Sequence, residues 1–244
     1  DTCLLGCGQV VEIIDLGLHA FADTFIPNEL LSETEPIAPL VCCLCNSCGL
    51  VQLRSITVDF DRYNKYAYSY TSSNSSFARA HWISLANDVT NRYDLRSSLA
   101  VEIGSNDGYL LEQIGPNVKK VLGIDSSEAM VAIANKKGVM SEQHLFGKAV
   151  SEKLVETHGK ADLILANNVL NHANDPIDFV AGVFNLLTEN GVFVFEVPSW
   201  MSTIKSGNFD QIYHEHVTYF SVKSVQYMLE KVGLFIEHVE LVDY

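Results

Sequence analysis

Four consecutive residues, Tyr213 to His216, carry side chains that can bind and release protons. The surrounding segment Phe209–Val217 reads Phe-Asp-Gln-Ile-Tyr-His-Glu-His-Val. Histidine is the side chain whose ordinary pKa suits proton abstraction near neutral pH. A metal site is disfavoured, because a helix would direct His214 and His216 to opposite faces. The pattern therefore indicates a functional cluster of Tyr213, His214, Glu215 and His216, with a satisfied structural histidine as the alternative for either ring.

The chain has six cysteines, all within its first 48 residues: Cys3, Cys7, Cys42, Cys43, Cys45 and Cys48. Cys45 and Cys48 form a C-x2-C knuckle followed by glycine, and Cys3 and Cys7 form a looser C-x3-C pair upstream. Two thiolate pairs predict a structural zinc site with four sulfur ligands. Either Cys42 or Cys43 could replace Cys3 in that site. Disulfides, which are rare in cytosolic chains, and buried thiols are the alternatives.

A glycine-containing loop lies between an apolar run and a helical pattern. It reads Glu-Ile-Gly-Ser-Asn-Asp-Gly from Glu102 to Gly108, and its two glycines permit a sharp turn and close approach of the backbone to a ligand. The pattern E-x-G-x-x-x-G differs from the G-x-G-x-x-G of dinucleotide-binding proteins. Asp125 ends the next apolar run, where a carboxylate can accept both ribose hydroxyls. A domain that binds another nucleotide is the alternative.

From residue 98 onward, apolar runs alternate with helical patterns. The predicted strands are Leu99–Ile103, Val118–Ile124, Asp162–Ala166 and Val192–Val197. The predicted helices are Gly108–Ile114, Glu128–Lys137, Ala149–Thr157 and Ile177–Leu187. This alternation is typical of an α/β fold with a parallel sheet. Ligands bind at the carboxyl ends of such strands, so a nucleotide-type ligand is expected to contact Glu102, Gly104, Asn106, Gly108, Asp125 and Asn167.

Composition divides the chain into three segments. Residues 1–57 form the predicted zinc module, and residues 98–244 form the α/β domain. Residues 58–97 form a linker with a predicted helix, Ser76–Arg92, preceded by Tyr66–Ser76, which is rich in tyrosine, serine and asparagine. Such side chains can hydrogen-bond a sugar or a diphosphate, although a polar linker has the same composition.

Net charge excludes one class of partner. The formal charge is −14, from 16 Lys and Arg against 30 Asp and Glu. A surface of this charge repels phosphate backbones, so we expect no nucleic-acid partner. No apolar run reaches the ~18–20 residues needed to span a bilayer, and the first residues do not read as a signal peptide. We therefore expect a cytoplasmic protein without a membrane partner.

These residues resemble those of known enzymes. The loop Glu102–Gly108 is similar to motif I of class I methyltransferases, whose ligand is a sulfonium amino acid. More narrowly, the chain resembles the sugar C-methyltransferases that act on nucleotide-linked 4-keto-6-deoxyhexoses in deoxysugar biosynthesis. The matching features span nearly the whole chain, and the last is the most specific: the cysteine module, Asp15–Gly17, Tyr70–Ser73, Glu102–Gly108 and Phe209–His216.

The resemblance implies a Rossmann-like class I methyltransferase domain behind a small zinc-binding module, with S-adenosylmethionine and Zn²⁺ as cofactors and a nucleotide-linked sugar as substrate. It implies that His216 is the general base, assisted by Tyr213, Glu215 and Tyr70. Loss of a proton alpha to the ketone needs such a base and a donor to the enolate oxygen. An O- or N-methyltransferase, which needs less help from a base, and a non-catalytic binding module are the alternatives.

The resemblance also implies a longer polypeptide, because family members continue into a domain that opens with His-Gly-Gly. The strand count agrees with this expectation. Gly191–Val197 is the predicted fifth strand, and Leu234–Leu241, after the predicted helix Val222–Val232, is the sixth. An antiparallel seventh strand would have to follow, and too few residues remain for one. We therefore expect a fragment with an incomplete sheet.

Overall fold

The computed structural model of the protein describes residues 1–22, 26, 28–57 and 71–242. Contacts divide the chain into two compact units. The cysteine unit comprises residues 1–69, 170–177 and 197–235, and the sheet unit comprises residues 70–169, 178–196 and 236–244. The expected segments 1–57, 58–97 and 98–244 are continuous in sequence, whereas each of the two units consists of three separate stretches of the chain.

The described residues form the following strands and helices. The strands are β1 (Val10–Ala20), β2 (Ile37–Cys45), β3 (Val51–Leu53), β4 (Leu99–Ile103), β5 (Lys120–Asp125), β6 (Ser141–Gln143), β7 (Ala161–Asn167), β8 (Leu187–Glu196) and β9 (Thr218–Tyr219). The helices are α1 (Ser76–Arg92), α2 (Tyr109–Ile114), α3 (Glu128–Lys136), α4 (Lys148–His158), α5 (Pro176–Leu186), α6 (Trp200–Ser206) and α7 (Val222–Glu230). None of these helices has both the length and the apolar character needed to cross a membrane.

The cysteine unit contains an antiparallel sheet with the strand order β1-β2-β3-β9. The knuckle Cys45–Gly49 turns β2 back into β3, and Gly49 has φ +77°, which favours glycine. β3 then pairs with β9, placing Val51 opposite Tyr219. A strand from late in the sequence thereby completes the N-terminal sheet, which is why the cysteine unit includes residues 197–235.

The sheet unit contains a parallel sheet with the strand order β6-β5-β4-β7-β8. The α/β prediction is confirmed, with the four predicted strands present as β4, β5, β7 and β8. The helix Ser76–Arg92 is also present as predicted; Ser75 caps it by accepting a hydrogen bond from the Ala78 N–H. The short strand β6 was not predicted, because Ser-Glu-Gln carries no apolar pattern.

One predicted strand is wrong. Residues 234–241 form no strand, and Phe235, Val239 and Leu241 are exposed. The alternation of apolar residues matches strand propensity, but a strand exists only where a neighbour accepts its backbone hydrogen bonds. Within the described ranges, no segment pairs with residues 234–241, and β8 is the last strand on its side of the sheet.

Candidate active site and cysteine cluster

Four cysteines converge in the cysteine unit. The sulfurs of Cys3, Cys7, Cys45 and Cys48 all lie within 4.8 Å of one another. Cys3 is 3.7 Å from Cys48, and Cys7 is 3.3 Å from Cys45. All six cysteines are free thiols, so the disulfide alternative is wrong.

The cluster has the dimensions of a zinc site. Zinc–sulfur bonds of ~2.3 Å in a tetrahedron place sulfurs about 3.8 Å apart, close to the observed separations. Burial raises the pKa of Cys3 to about 11. Burial would also raise the pKa of Cys45, but N–H groups of Cys48 and Ser47 donate to its sulfur, and the pKa falls to about 6. A bound cation would stabilise all four thiolates together. Cys42 and Cys43 lie on β2 outside the cluster, so the structure brings together the four cysteines that the sequence predicts as ligands.

The glycine loop joins β4 to α2 in the sheet unit. Gly104, Asn106 and Gly108 all have positive φ angles, of 71°, 49° and 79°. A Cβ at Gly104 would collide with Val169, and a Cβ at Gly108 would lie 3.0 Å from the Cβ of Val139. The backbone conformation and the close packing together require glycine at both ends of the loop.

Acidic side chains surround this loop. The Asp125 carboxylate accepts hydrogen bonds from the N–H groups of Asn106 and Ser127, both at 2.8 Å. Burial raises the pKa of Asp125. Burial also raises the pKa of Glu102 well above its usual range, and the nearby charges of Asp125 and Asp107 add to this effect. One oxygen of Asp107 binds Lys137 at 2.6 Å and also accepts from the Ser73 hydroxyl.

Several buried polar atoms near the carboxyl ends of β4 and β7 have no hydrogen-bond partner within the described part of the chain. They are Glu102 Oε2, Ser105 Oγ, Asp107 Oδ1, and both Asn167 Oδ1 and Nδ2. Unsatisfied buried groups cost about 1–3 kcal/mol each, so a set of them indicates a polar ligand. A cationic amino acid with a ribose fits this set, because three carboxylates gather there with Lys137 bound to one of them.

The catalytic candidates lie in the cysteine unit, immediately before β9. His216 Nδ1 is 2.9 Å from the carbonyl oxygen of Gln211, which can only accept, so Nδ1 carries the proton and donates. Nε2 therefore keeps its lone pair and accepts from the Tyr213 hydroxyl at 2.9 Å. Burial lowers the pKa of His216 to about 4. The imidazole is neutral at physiological pH and presents the lone pair that a base needs.

Two further residues complete this cluster. The carboxylate of Glu215 lies 3.9 Å from Nδ1 of His172. The rings of His172 and His216 have centroids 5.0 Å apart. The sequence does not predict His172 as a site residue, because no local pattern marks the turn 170–172 as a neighbour of β9. His214 points elsewhere, with Nε2 3.2 Å from the carbonyl oxygen of Ala38. Tyr70 lies outside the described residues.

Comparison with known proteins assigns the family. The profile of a family described as "Methyltransferase domain" matches residues 66–239. The chain belongs to this methyltransferase family. A second profile, described as "Putative zinc binding domain", matches residues 3–61 and includes all four clustered cysteines. The methyltransferase domain is thus preceded by a zinc-binding module, as the sequence predicts.

Individual relatives agree with this assignment. The C-methyltransferase NovU of Streptomyces niveus is 30% identical over 248 residues, which cover 100% of this chain and 58% of that protein. Magnesium protoporphyrin IX methyltransferase (ChlM) from Synechocystis PCC 6803 with bound SAH is 16% identical, with a TM-score of 0.53 over 68% of this chain and 77% of that one. A SAM-dependent methyltransferase from Archaeoglobus fulgidus is 16% identical, with a TM-score of 0.52 over 64% of this chain and 68% of that one.

The two solved structures establish the class I, S-adenosylmethionine-dependent methyltransferase fold of the domain. The chain spans between 58% and 65% of the length of the curated relatives it matches.

Proposed function

We propose that the protein transfers a methyl group from S-adenosylmethionine to the carbon alpha to the ketone of a nucleotide-linked 4-keto-6-deoxyhexose in deoxysugar biosynthesis. His216 is the general base of this proposal, and Tyr213, Glu215 and Tyr70 assist it. The residues proposed to hold the cofactor are Glu102, Gly104, Asn106, Gly108, Asp125 and Asn167.

The observation that carries the proposal is the arrangement of His216. Its Nδ1 proton is held by a carbonyl oxygen, so the imidazole has one tautomer and one ring orientation. Burial keeps it unprotonated, and Nε2 faces a phenol rather than a cation or a metal. A purely structural histidine could make the same two hydrogen bonds. Loss of proton exchange and of methyl transfer in His216→Ala distinguishes a general base from such a structural residue.

The proposed chemistry needs both members of the Tyr213–His216 pair. A carbon-bound proton beside a ketone is too weakly acidic to leave unaided, so a base must take it while a donor stabilises the enolate oxygen. When Tyr213 donates to that oxygen, it releases the lone pair of His216 Nε2 for the proton. S-adenosylmethionine supplies the electrophilic methyl group that the resulting carbanion attacks. Oxygen and nitrogen acceptors would need this pair much less.

The comparisons support the proposal at two levels. NovU, whose name describes a C-methyltransferase, matches this chain along its whole length. The sugar class rests on the resemblance of Phe209–His216 and of the other matching segments to sugar C-methyltransferases.

The proposal is tested with methyl-labelled S-adenosylmethionine and a panel of thymidine-, uridine-, cytidine- and guanosine-diphosphate 4-keto-6-deoxyhexoses. We expect one panel member to gain the label on carbon, located by NMR. A second assay replaces the cofactor with S-adenosylhomocysteine in D2O and follows exchange of the proton alpha to the ketone. We expect exchange with the wild-type protein and its loss in His216→Ala.

Each alternative gives a different result. Label on oxygen or nitrogen, without exchange of the carbon-bound proton, would favour the O- or N-methyltransferase. Binding of S-adenosylhomocysteine without any methyl transfer across the panel would contradict the proposed substrate class. A protein that binds neither the cofactor nor the sugar nucleotides would favour the non-catalytic module.

A further inference from the structure

The side chain of Asn171 is buried and makes no hydrogen bond within the described part of the chain. Asn171 lies in the short 3-10 turn Leu170–His172 of the cysteine unit and is only 1% exposed. Neither its amide oxygen nor its amide nitrogen has a partner among the described residues. Its main-chain carbonyl oxygen accepts from the Thr218 hydroxyl at 3.4 Å. The side-chain group without a partner is the carboxamide.

A buried carboxamide without partners is unfavourable for the protein by itself. An apolar side chain of the same size would avoid the desolvation cost and pack equally well. Natural sequences break such rules mainly at functional sites, where a ligand supplies the missing hydrogen bonds. Asn171 therefore indicates a ligand with at least one acceptor and one donor.

Asn171 lies close to the catalytic candidates. Its chain neighbour His172 has its ring centroid 5.0 Å from that of His216. The residue that binds its carbonyl oxygen, Thr218, follows His216 by two positions and opens β9. Asn171 is thus the chain neighbour of His172, and its main chain is hydrogen-bonded to a residue two positions after His216.

We propose that Asn171 is a substrate-binding residue, whose amide N–H donates to the carbonyl oxygen of the substrate and whose amide oxygen accepts from a hydroxyl group beside it. This proposal rests on the proposed function, which supplies a keto-sugar with both groups. A carboxamide is neutral, so it suits a ketone and a hydroxyl better than a diphosphate, which recruits cations. Its N–H would also stabilise the negative charge that develops on the ketone oxygen as the proton leaves.

The test measures both the melting temperature and the activity of one variant, Asn171→Leu. Leucine is nearly isosteric with asparagine but has no polar atoms. We expect its melting temperature to rise in the absence of substrate, because the orphaned amide is gone. We expect kcat/KM for the methylated panel member to fall by about 10²–10³-fold, the range for losing a donor to a developing oxyanion. Binding of S-adenosylhomocysteine, followed by calorimetry, should not change.

Two variants complete the design. Asn171→Asp keeps the size but replaces the amide donors with an acceptor, so it should also lose substrate binding while its melting temperature falls. Asn185 is a control, because its carboxamide is satisfied by the Ser151 hydroxyl at 3.0 Å. Asn185→Leu should therefore lower the melting temperature and leave the KM for the sugar nucleotide unchanged.

The outcomes separate this inference from the proposed function. A wild-type protein that methylates no panel member contradicts both. An active wild-type protein, with unchanged kcat/KM in Asn171→Leu, overturns the inference alone. A lower melting temperature in Asn171→Leu also overturns it, because the carboxamide would then have a structural partner such as a buried water molecule.

Discussion

At the scale of single residues, His216 is held in one protonation state by its surroundings. Removing the imidazole should remove the proposed base and leave the glycine loop Glu102–Gly108, which belongs to the sheet unit, unchanged. We expect His216→Ala to lower turnover by roughly 10²–10⁴-fold, the range for a positioned general base. Affinity for S-adenosylhomocysteine should stay within twofold of wild type by calorimetry. His238→Ala, at a half-exposed histidine, is the control; near-normal turnover in His216→Ala would contradict the assignment.

The same imidazole makes stability depend on pH. Its pKa is about 4 in the folded protein and near 6.5 when unfolded, so between these values the unfolded state binds more protons. The free energy of unfolding should thus decrease as pH falls from 6.5 toward 4, by up to about 3 kcal/mol from this residue. Urea titrations at pH 7 and pH 4.5 should show a smaller loss for His216→Gln than for wild type. Parallel losses would mean that the ring is accessible to protons.

Asp125 is the residue that we propose accepts the ribose hydroxyls of the cofactor. Its carboxylate accepts the backbone N–H groups of Asn106 and Ser127, and its oxygens have enough lone pairs to accept a ribose hydroxyl as well. We expect Asp125→Ala to weaken binding of S-adenosylhomocysteine by about 1–3 kcal/mol, measured by calorimetry. Asp94→Ala, at an exposed aspartate of the same unit, should bind normally. Tighter binding of NAD than of the methyl donor by the wild type would contradict the cofactor assignment itself.

At the scale of elements, the sequence predicts those strands that a local run of apolar residues marks. The strands β4 and β7 are mainly apolar and buried, which is the signature of parallel strands covered on both faces, and β5 and the second half of β8 also contain apolar runs. The antiparallel sheet of the cysteine unit was not predicted, because β9 contains two residues and its partner β3 lies far away in sequence. Residues 234–241 show the opposite error, in which strand propensity has no partner to satisfy it.

The site residues also fall into two groups, those that a local sequence pattern marks and those that only the tertiary structure brings together. Cysteine spacing and the glycine loop are local signals, so the four clustered sulfurs and the positive φ angles of Gly104 and Gly108 follow from the sequence. The contact between His172 and His216 depends on how a turn and a strand meet in three dimensions. No spacing rule could have selected His172 or the unsatisfied carboxamide of Asn171.

The pairing of β3 with β9 connects the cysteine cluster to His216. The knuckle between Cys45 and Cys48 holds the start of β3, and Leu53 N–H donates to the carbonyl oxygen of Val217 at 2.9 Å. Zinc removal should therefore loosen the strand that follows His216. We expect Cys48→Ser to lower the zinc content, the melting temperature and turnover together, while S-adenosylhomocysteine still binds.

A matched variant makes this prediction specific to the cluster. Cys43 is buried on β2 outside the four-sulfur site, so Cys43→Ser should retain one zinc per chain. Mass spectrometry measures the zinc content per chain of both variants. Full turnover in a zinc-free Cys48→Ser protein would show that the module does not support the catalytic segment.

At the scale of the whole molecule, charge acts differently on the two proposed ligands. S-adenosylmethionine carries a net positive charge, whereas a nucleotide-linked sugar carries a diphosphate. The protein, at −14, attracts the first and repels the second before any contact forms. Salt shortens the range of both effects, from about 30 Å at 0.01 M to about 8 Å at physiological ionic strength.

Raising the ionic strength over that interval should therefore increase kcat/KM for the sugar nucleotide severalfold, because screening removes a long-range repulsion from the encounter. The KM for S-adenosylmethionine should rise over the same interval, since an attraction is lost. Steady-state kinetics in sodium chloride and in potassium acetate at equal ionic strength distinguish screening from binding of a particular ion. A kcat/KM for the sugar nucleotide that falls with salt would show that local cations, rather than the net charge, govern its approach. Without any salt effect on the sugar substrate, an uncharged acceptor would become the better candidate, because only a charged ligand responds to the field of the whole protein.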